Sequence, residues 1–137
     1  LMGSGAWRGK DRLRTSSVQN VGGALISVEL NHYSPSPGLA RLIAAVKGVR
    51  CYGCASRALS LVAEGATDAH VDVRGRLTAE SYLAAARLVI EAGGWVTDLD
   101  GAPLAAPESL TDRICLIVAS SRKLCDEIVE VLGNGQH

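Results

Sequence analysis

From residue 24 onward the chain alternates between short apolar runs of strand length and stretches of helical period, with glycine at most of the junctions. That alternation restricts the fold more than any other feature of the sequence. Ala24-Leu25-Ile26-Ser27-Val28-Glu29-Leu30 reads as a strand, and residues 31–38 as a loop. Ser36 and Pro37 then suit the cap and first position of a helix, whose Leu39, Leu42, Ile43 and Val46 share one face. Gly48 is expected to stop it. Val49–Tyr52 reads as a strand, and Ala55, Ala58, Leu59 and Val62 as a second helical face that Gly65 ends. Ala69-His70-Val71-Asp72-Val73 alternates as a strand does. Thr78 is expected to cap a third helix, with Leu83, Ala86 and Ile90 inside and Gly93-Gly94 beyond its end. Trp95–Thr97 is a strand, Asp98–Gly101 a turn, and 102–112 a loop. Ile114–Ala119 is apolar enough to be buried on both faces. The last helix carries Leu124, Ile128, Val131 and Leu132, with a tail from Gly133. Upstream, Arg8-Gly9-Lys10-Asp11 reads as the loop of a β-hairpin. The order hairpin, β, α, β, α, β, α, β, β, α predicts a layered α/β domain whose sheet is mainly parallel. All of 1–137 is read as one domain, with 1–21 as hairpin and connector and 22–133 as the α/β core.

Composition narrows the partners. Fourteen Lys+Arg balance fourteen Asp+Glu, so no bulk field draws the chain to nucleic acid or to a membrane surface. The hydrophobic fraction of 47% supplies a core, but with no Phe, two Trp and three Tyr it must be aliphatic, and stacking platforms for bases are not expected. No apolar run has the length of a membrane span, and no basic-led apolar leader opens the chain at Leu1. Four scattered cysteines are too few for a disulfide scaffold. The expectation is a cytoplasmic protein with reduced thiols.

Three short patterns carry chemistry. Cys51-Tyr52-Gly53-Cys54 is a C-x-x-C between a strand and a helix. It is open to a redox pair or half of a zinc site, or to two small residues at a tight turn. Cys115 and Cys125 lie on different elements and do not form a second knuckle. Gly53-Cys54-Ala55-Ser56 places small residues at a helix start, where free N–H groups and the helix dipole favour an anion. Asp72, followed by Arg74 and Arg76, offers groups for a polyol phosphate, or a solvated ion pair at a strand end. Glu80 near a helix start is open to metal ligation or to a dipole contact, and Asp98–Gly101 lacks the acidic positions of a calcium loop. The histidines, 32, 70 and 137, form no nucleophile–base pair.

Several segments together resemble the C-terminal half of the inositol monophosphatase family, magnesium-dependent phosphatases of inositol and sugar phosphates. They are Val49–Ala55 with Ala58-Leu59, Val62-Ala63-Glu64-Gly65, Asp68–Asp72, and the Ala84–Ala86 run leading through Glu91-Ala92-Gly93-Gly94 to Gly101. Ile117–Ser121 and the hairpin Gly5–Arg14 also fit. Val71-Asp72-Val73-Arg74-Gly75 looks most like the branch holding archaeal inositol and fructose-bisphosphate phosphatases. The resemblance implies a five-stranded sheet flanked by helices. It implies substrate contacts from Gly53, Cys54 and Ala55 at the helix start, and from Asp72 toward substrate hydroxyls. It also implies Mg²⁺, but the family's Glu and Asp-Pro-Ile-Asp-Gly-Thr-like motif have no match here. A further metal-binding Asp falls on Ser81 counting back from Glu91, or on Tyr82 aligning on the alanines. Glu80 is the neighbouring carboxylate and the one metal candidate, turned about 100° away around the helix.

Three functions follow as expectations. One is the substrate-pocket part of a sugar-phosphate phosphatase, inactive alone. Another is a non-catalytic small-molecule-binding or self-associating module on a degenerate phosphatase fold, with a homo-oligomer covering bare faces. Thiol redox through Cys51 and Cys54 is a third.

Overall fold

A computed structural model describes residues 3–133. The hairpin consists of β1 (Ala6–Arg8) and β2 (Asp11–Leu13), antiparallel with Arg8 opposite Asp11. Its loop is tighter than the sequence suggests, because Gly9 adopts φ +60° and lets the chain reverse between Arg8 and Asp11. A 3-10 turn at Val21–Gly23, capped by the Asn20 side chain, then leads into β3 (Leu25–Val28). The alternating elements follow: α1 (Pro37–Ala45), β4 (Gly48–Arg50), α2 (Ala55–Ala63), β5 (Ala69–Leu77), α3 (Ala79–Glu91), β6 (Trp95–Thr97), β7 (Ile114–Ala119) and α4 (Arg122–Leu132).

The sheet has five strands in the order β4-β3-β5-β7-β6. β3 pairs in parallel with β4 and β5, while β7 runs antiparallel to both β5 and β6. Four strands therefore share one direction, and the sheet is mixed because β7 is reversed between two of them. β7 enters after β6 by a loop and not by a helical crossover, and a loop connection permits the antiparallel direction.

Helices cover both faces. Leu39 and Leu42 of α1 and Leu124, Cys125, Ile128 and Leu132 of α4 pack on one side against Ile26, Val28, Val71 and Ile117. Leu59 and Val62 of α2 and Tyr82, Ala85, Ala86 and Val89 of α3 pack on the other against Leu116 and Val118. β7 thus sends side chains into both cores, as its unbroken apolar run predicts.

Some local expectations shift. Ser36 does cap α1, its Oγ accepting from Leu39 N–H at 3.3 Å. The helix nevertheless ends at Ala45, and Gly48 opens β4 instead of stopping α1. Thr78 holds the cap position of α3 without a side-chain hydrogen bond. Leu83 and Ile90 are exposed, not internal (49% and 45%). α3 is rotated so that Ala85 and Ala86 share a core with Leu59 and Val62 of α2.

The hairpin and connector are fastened to the core. Ala6 is buried under α3. Glu91 at the end of α3 accepts from Gly3 and Gly5 N–H and from Arg87. Buried Asp68 accepts from Ser16 Oγ at 2.5 Å and from Leu25 N–H at 2.7 Å, joining the connector to the start of β3. Among the described residues, no helix is long and apolar enough to cross a membrane. His137 and the rest of the tail beyond Gly133 lie outside the described residues, as do Leu1 and Met2.

Candidate functional site

β3, β4 and β5 are parallel, so their carboxyl ends open on the same edge of the sheet, where α/β proteins form their crevices. The segment after β3 contributes Glu29, Asn31 and His32. Gly53–Ser56 after β4 form the start of α2, and β5 contributes Asp72, Arg74, Arg76 and Leu77. Together with Ser81 these residues line a cavity of about 590 Å³.

Gly53 adopts φ +70°, a conformation that side chains resist, and a Cβ there would meet Asn31 Nδ2 at 3.1 Å. This bend turns the chain from β4 into α2. Cys54 is the N-cap of α2 and makes no capping hydrogen bond with its side chain. The first N–H groups of the helix therefore have no side-chain acceptor from the cap, and the residues that begin it, Ala55 and Ser56, line the cavity. The Cys54 thiol lies 3.3 Å from Ser56 Oγ. That hydroxyl, aided by the N–H groups of Arg57 and Ser56, lowers the thiol pKa.

Asp72 lies within β5 and is fully buried at its side chain, so it is not a solvated strand end. β5 runs further than the sequence suggests because Gly75, at φ +69°, absorbs a register shift between Asp72 and Leu77. Asp72 Oδ1 accepts from Arg74 N–H at 3.0 Å and Nε–H at 3.1 Å, and Oδ2 accepts from Nη2–H at 2.9 Å. This fork fixes the carboxylate and raises the Arg74 pKa.

The sequence reading passed over Glu29. It is 5% exposed, and its Oε1 accepts from Asn31 N–H at 3.2 Å and from the Cys51 thiol at 3.5 Å. The available signal was one acid ending the apolar run Ala24–Val28. Beneath the cavity, Ser27 Oγ and His70 Nδ1 are 2.7 Å apart across the β3–β5 pairing. His70 Nε2 is buried without a partner. Burial pushes this imidazole down to about 4, against the opposing pull of the Asp72 and Glu29 carboxylates.

Gly53, Cys54, Ala55 and Asp72 thus share one cavity. Glu80 does not line it and is exposed on the first turn of α3, whereas Ser81 does line it. Cys51 and Cys54 are both exposed and are not packed at the turn. Asp98 Oδ1 accepts from Asp100 and Ala102 N–H, so Asp98–Gly101 is a turn closed on itself. The residues do not fit a hard divalent ion. Among the described residues only two carboxylates, Glu29 and Asp72, line the cavity, fewer oxygen ligands than such an ion takes. Among the described residues, no group of three His, Cys, Asp or Glu could hold a metal.

Fold and cavity define an α/β-layered protein with a polar crevice at the carboxyl edge of its parallel strands. No protein-family model matches the chain. A fructose-1,6-bisphosphatase/inositol-1-monophosphatase of Methanocaldococcus jannaschii is 35% identical over 102 residues, 73% of this chain and 40% of that protein. One of Thermococcus kodakarensis is 30% identical over 95% of this chain and 48% of its own length. A Pyrococcus horikoshii protein described as similar to inositol-1 monophosphatase superposes with a TM-score of 0.84 at 25% identity, over 98% of this chain and 51% of that one. A solved inositol monophosphatase–fructose 1,6-bisphosphatase superposes with a TM-score of 0.83 at 30% identity, over 96% of this chain and 50% of that one. The chain belongs to the inositol monophosphatase family. It spans about half the length of the curated relatives it matches.

Proposed function

We propose that this chain supplies the sugar-phosphate pocket of an inositol-monophosphatase-like phosphatase and binds a phosphorylated polyol without hydrolysing it alone. The observation that carries this reading is the shared cavity of the α2 N-terminus and Asp72. The phosphate is held by N–H groups at Gly53–Ser56, where the helix dipole favours negative charge. The Asp72 carboxylate, held in place by its Arg74 partner, is the acceptor for polyol hydroxyls.

Hydrolysis in the manner of the family would take Mg²⁺, and the cavity's residues do not provide a ligand set for it. Ser81 at the lining, with Glu80 outside it, favours a second reading: a binding module on a phosphatase fold that has lost its chemistry. Both readings predict binding that does not require magnesium. A thermal-shift titration with inositol 1-phosphate, with and without Mg²⁺ and beside a phosphate-release assay, tests them. The expected result is stabilisation in both conditions and no released phosphate. Magnesium-dependent release by this chain alone would overturn the reading. The self-association proposed with it belongs to the exposed α3 face of Leu83 and Ile90. Sedimentation of the wild type beside Leu83→Lys/Ile90→Lys reads it out, with only the wild type expected to associate.

A further inference from the structure

Two of the four thiols are covered, Cys125 buried and Cys115 half-buried, and burial raises the pKa of both. The other two are exposed, three positions apart, and both belong to the cavity wall or its supports. The Cys51 thiol donates to Glu29 Oε1 at 3.5 Å. Cys54 lines the cavity beside Ser56 Oγ. Gly53 lies between them at φ +70°, so the intervening backbone bends.

We propose that Cys51 and Cys54 form an oxidation site, in which a peroxide joins them in an intrachain disulfide and thereby remodels the cavity. Cys54 is the attacking thiolate, being the exposed thiol at a helix N-terminus with a hydroxyl donor beside it. Its sulfur forms a bond to one peroxide oxygen as the O–O bond breaks and hydroxide leaves. Cys51 sulfur then attacks the Cys54 sulfur and displaces the oxygen now bonded to it, forming the S–S bond as the S–O bond breaks, and that oxygen leaves as water with the Cys51 proton. The two sulfurs together lose two electrons, and the peroxide is reduced to water. The bridge takes Cys51 from Glu29 and Cys54 from Ser56, two groups that line the cavity. Its effect on ligand binding rests on the anion-pocket reading above, whereas the oxidation itself does not.

The test is to treat the full reduced chain with hydrogen peroxide and map the products by peptide mass spectrometry. Inorganic phosphate binding is measured before oxidation, after it, and after dithiothreitol. The expected product is a Cys51–Cys54 bridge that dithiothreitol reverses. In the reduced chain, iodoacetamide should label Cys54 at least about ten-fold faster than Cys115 or Cys125. In Cys51→Ser, oxidation should stop at a Cys54 sulfenic acid. An unreactive Cys54, or bridges formed only between chains, would overturn the proposal. A bridge forming in a chain whose reduced form binds no phosphate would uphold the oxidation site and overturn the pocket reading. A bridge that leaves phosphate affinity unchanged would refute the coupling between the two.

Discussion

Acidification should weaken the fold through one side chain. His70 is buried on β5, with Nδ1 on Ser27 of the neighbouring β3 and no partner for Nε2. Protonation would create a buried cation with an unsatisfied donor, so burial pushes the imidazole from 6.5 down to about 4. Because the folded value is depressed for a base, the unfolded chain binds the extra proton between the two values. Stability is therefore complete above pH 6.5 and falls as pH drops toward 4. The full shift corresponds to about 3 kcal/mol, of which about 2 kcal/mol is lost by pH 5. Urea unfolding at steps from pH 7.5 to 5 measures this loss, and the comparison with His70→Gln cancels every other titrating group. The wild type should lose stability relative to the variant along that curve. Parallel pH profiles would refute the assignment of the buried neutral imidazole.

Other substitutions follow from the same geometry. Asp72→Asn should lower stability by about 2–3 kcal/mol in chemical denaturation, because it removes the charge that Arg74 grips. It should also weaken inositol 1-phosphate binding more than inorganic phosphate binding. Ser56→Asp places a carboxylate in the first turn of α2, so its melting point should hold or rise by the equivalent of about 0.3–1 kcal/mol while phosphate binding is lost. Gly94→Ala should destabilise by about 1–3 kcal/mol, as its Cβ would lie 2.5 Å from Val89 Cγ1 and 2.9 Å from the Ala119 carbonyl oxygen.

The succession of elements was legible because each follows from local periodicity and punctuation: Ser36-Pro37 for α1, Gly65 after α2, the apolar run of β7. The face each helix buries was less legible. On α3, Leu83, Ala86 and Ile90 make as regular a stripe as Tyr82, Ala85, Ala86 and Val89, and only packing against α2 selects the second. Half of the site could be read locally. Gly53–Ser56 announce a helix start, and Asp72 with its arginines announces a polar group in a strand. Glu29, Ser27 and His70 could not be joined from sequence, because the register that sets β3 beside β5 is fixed by contacts more than forty positions apart. Ser81 was counted as a lost ligand position, and its place at the cavity lining came from the fold.

One cavity, lined by the α2 N-terminus and β5, is proposed to hold a phosphorylated polyol. Amide chemical-shift mapping by ¹⁵N NMR during titration with inositol 1-phosphate in magnesium-free buffer tests it most directly. Saturating shifts are expected in Gly53–Arg57, Asp72–Arg76 and the Glu29–Asn31 segment alone, and are expected to be absent in Ser56→Asp. Shifts centred elsewhere, or none at millimolar ligand, would contradict it.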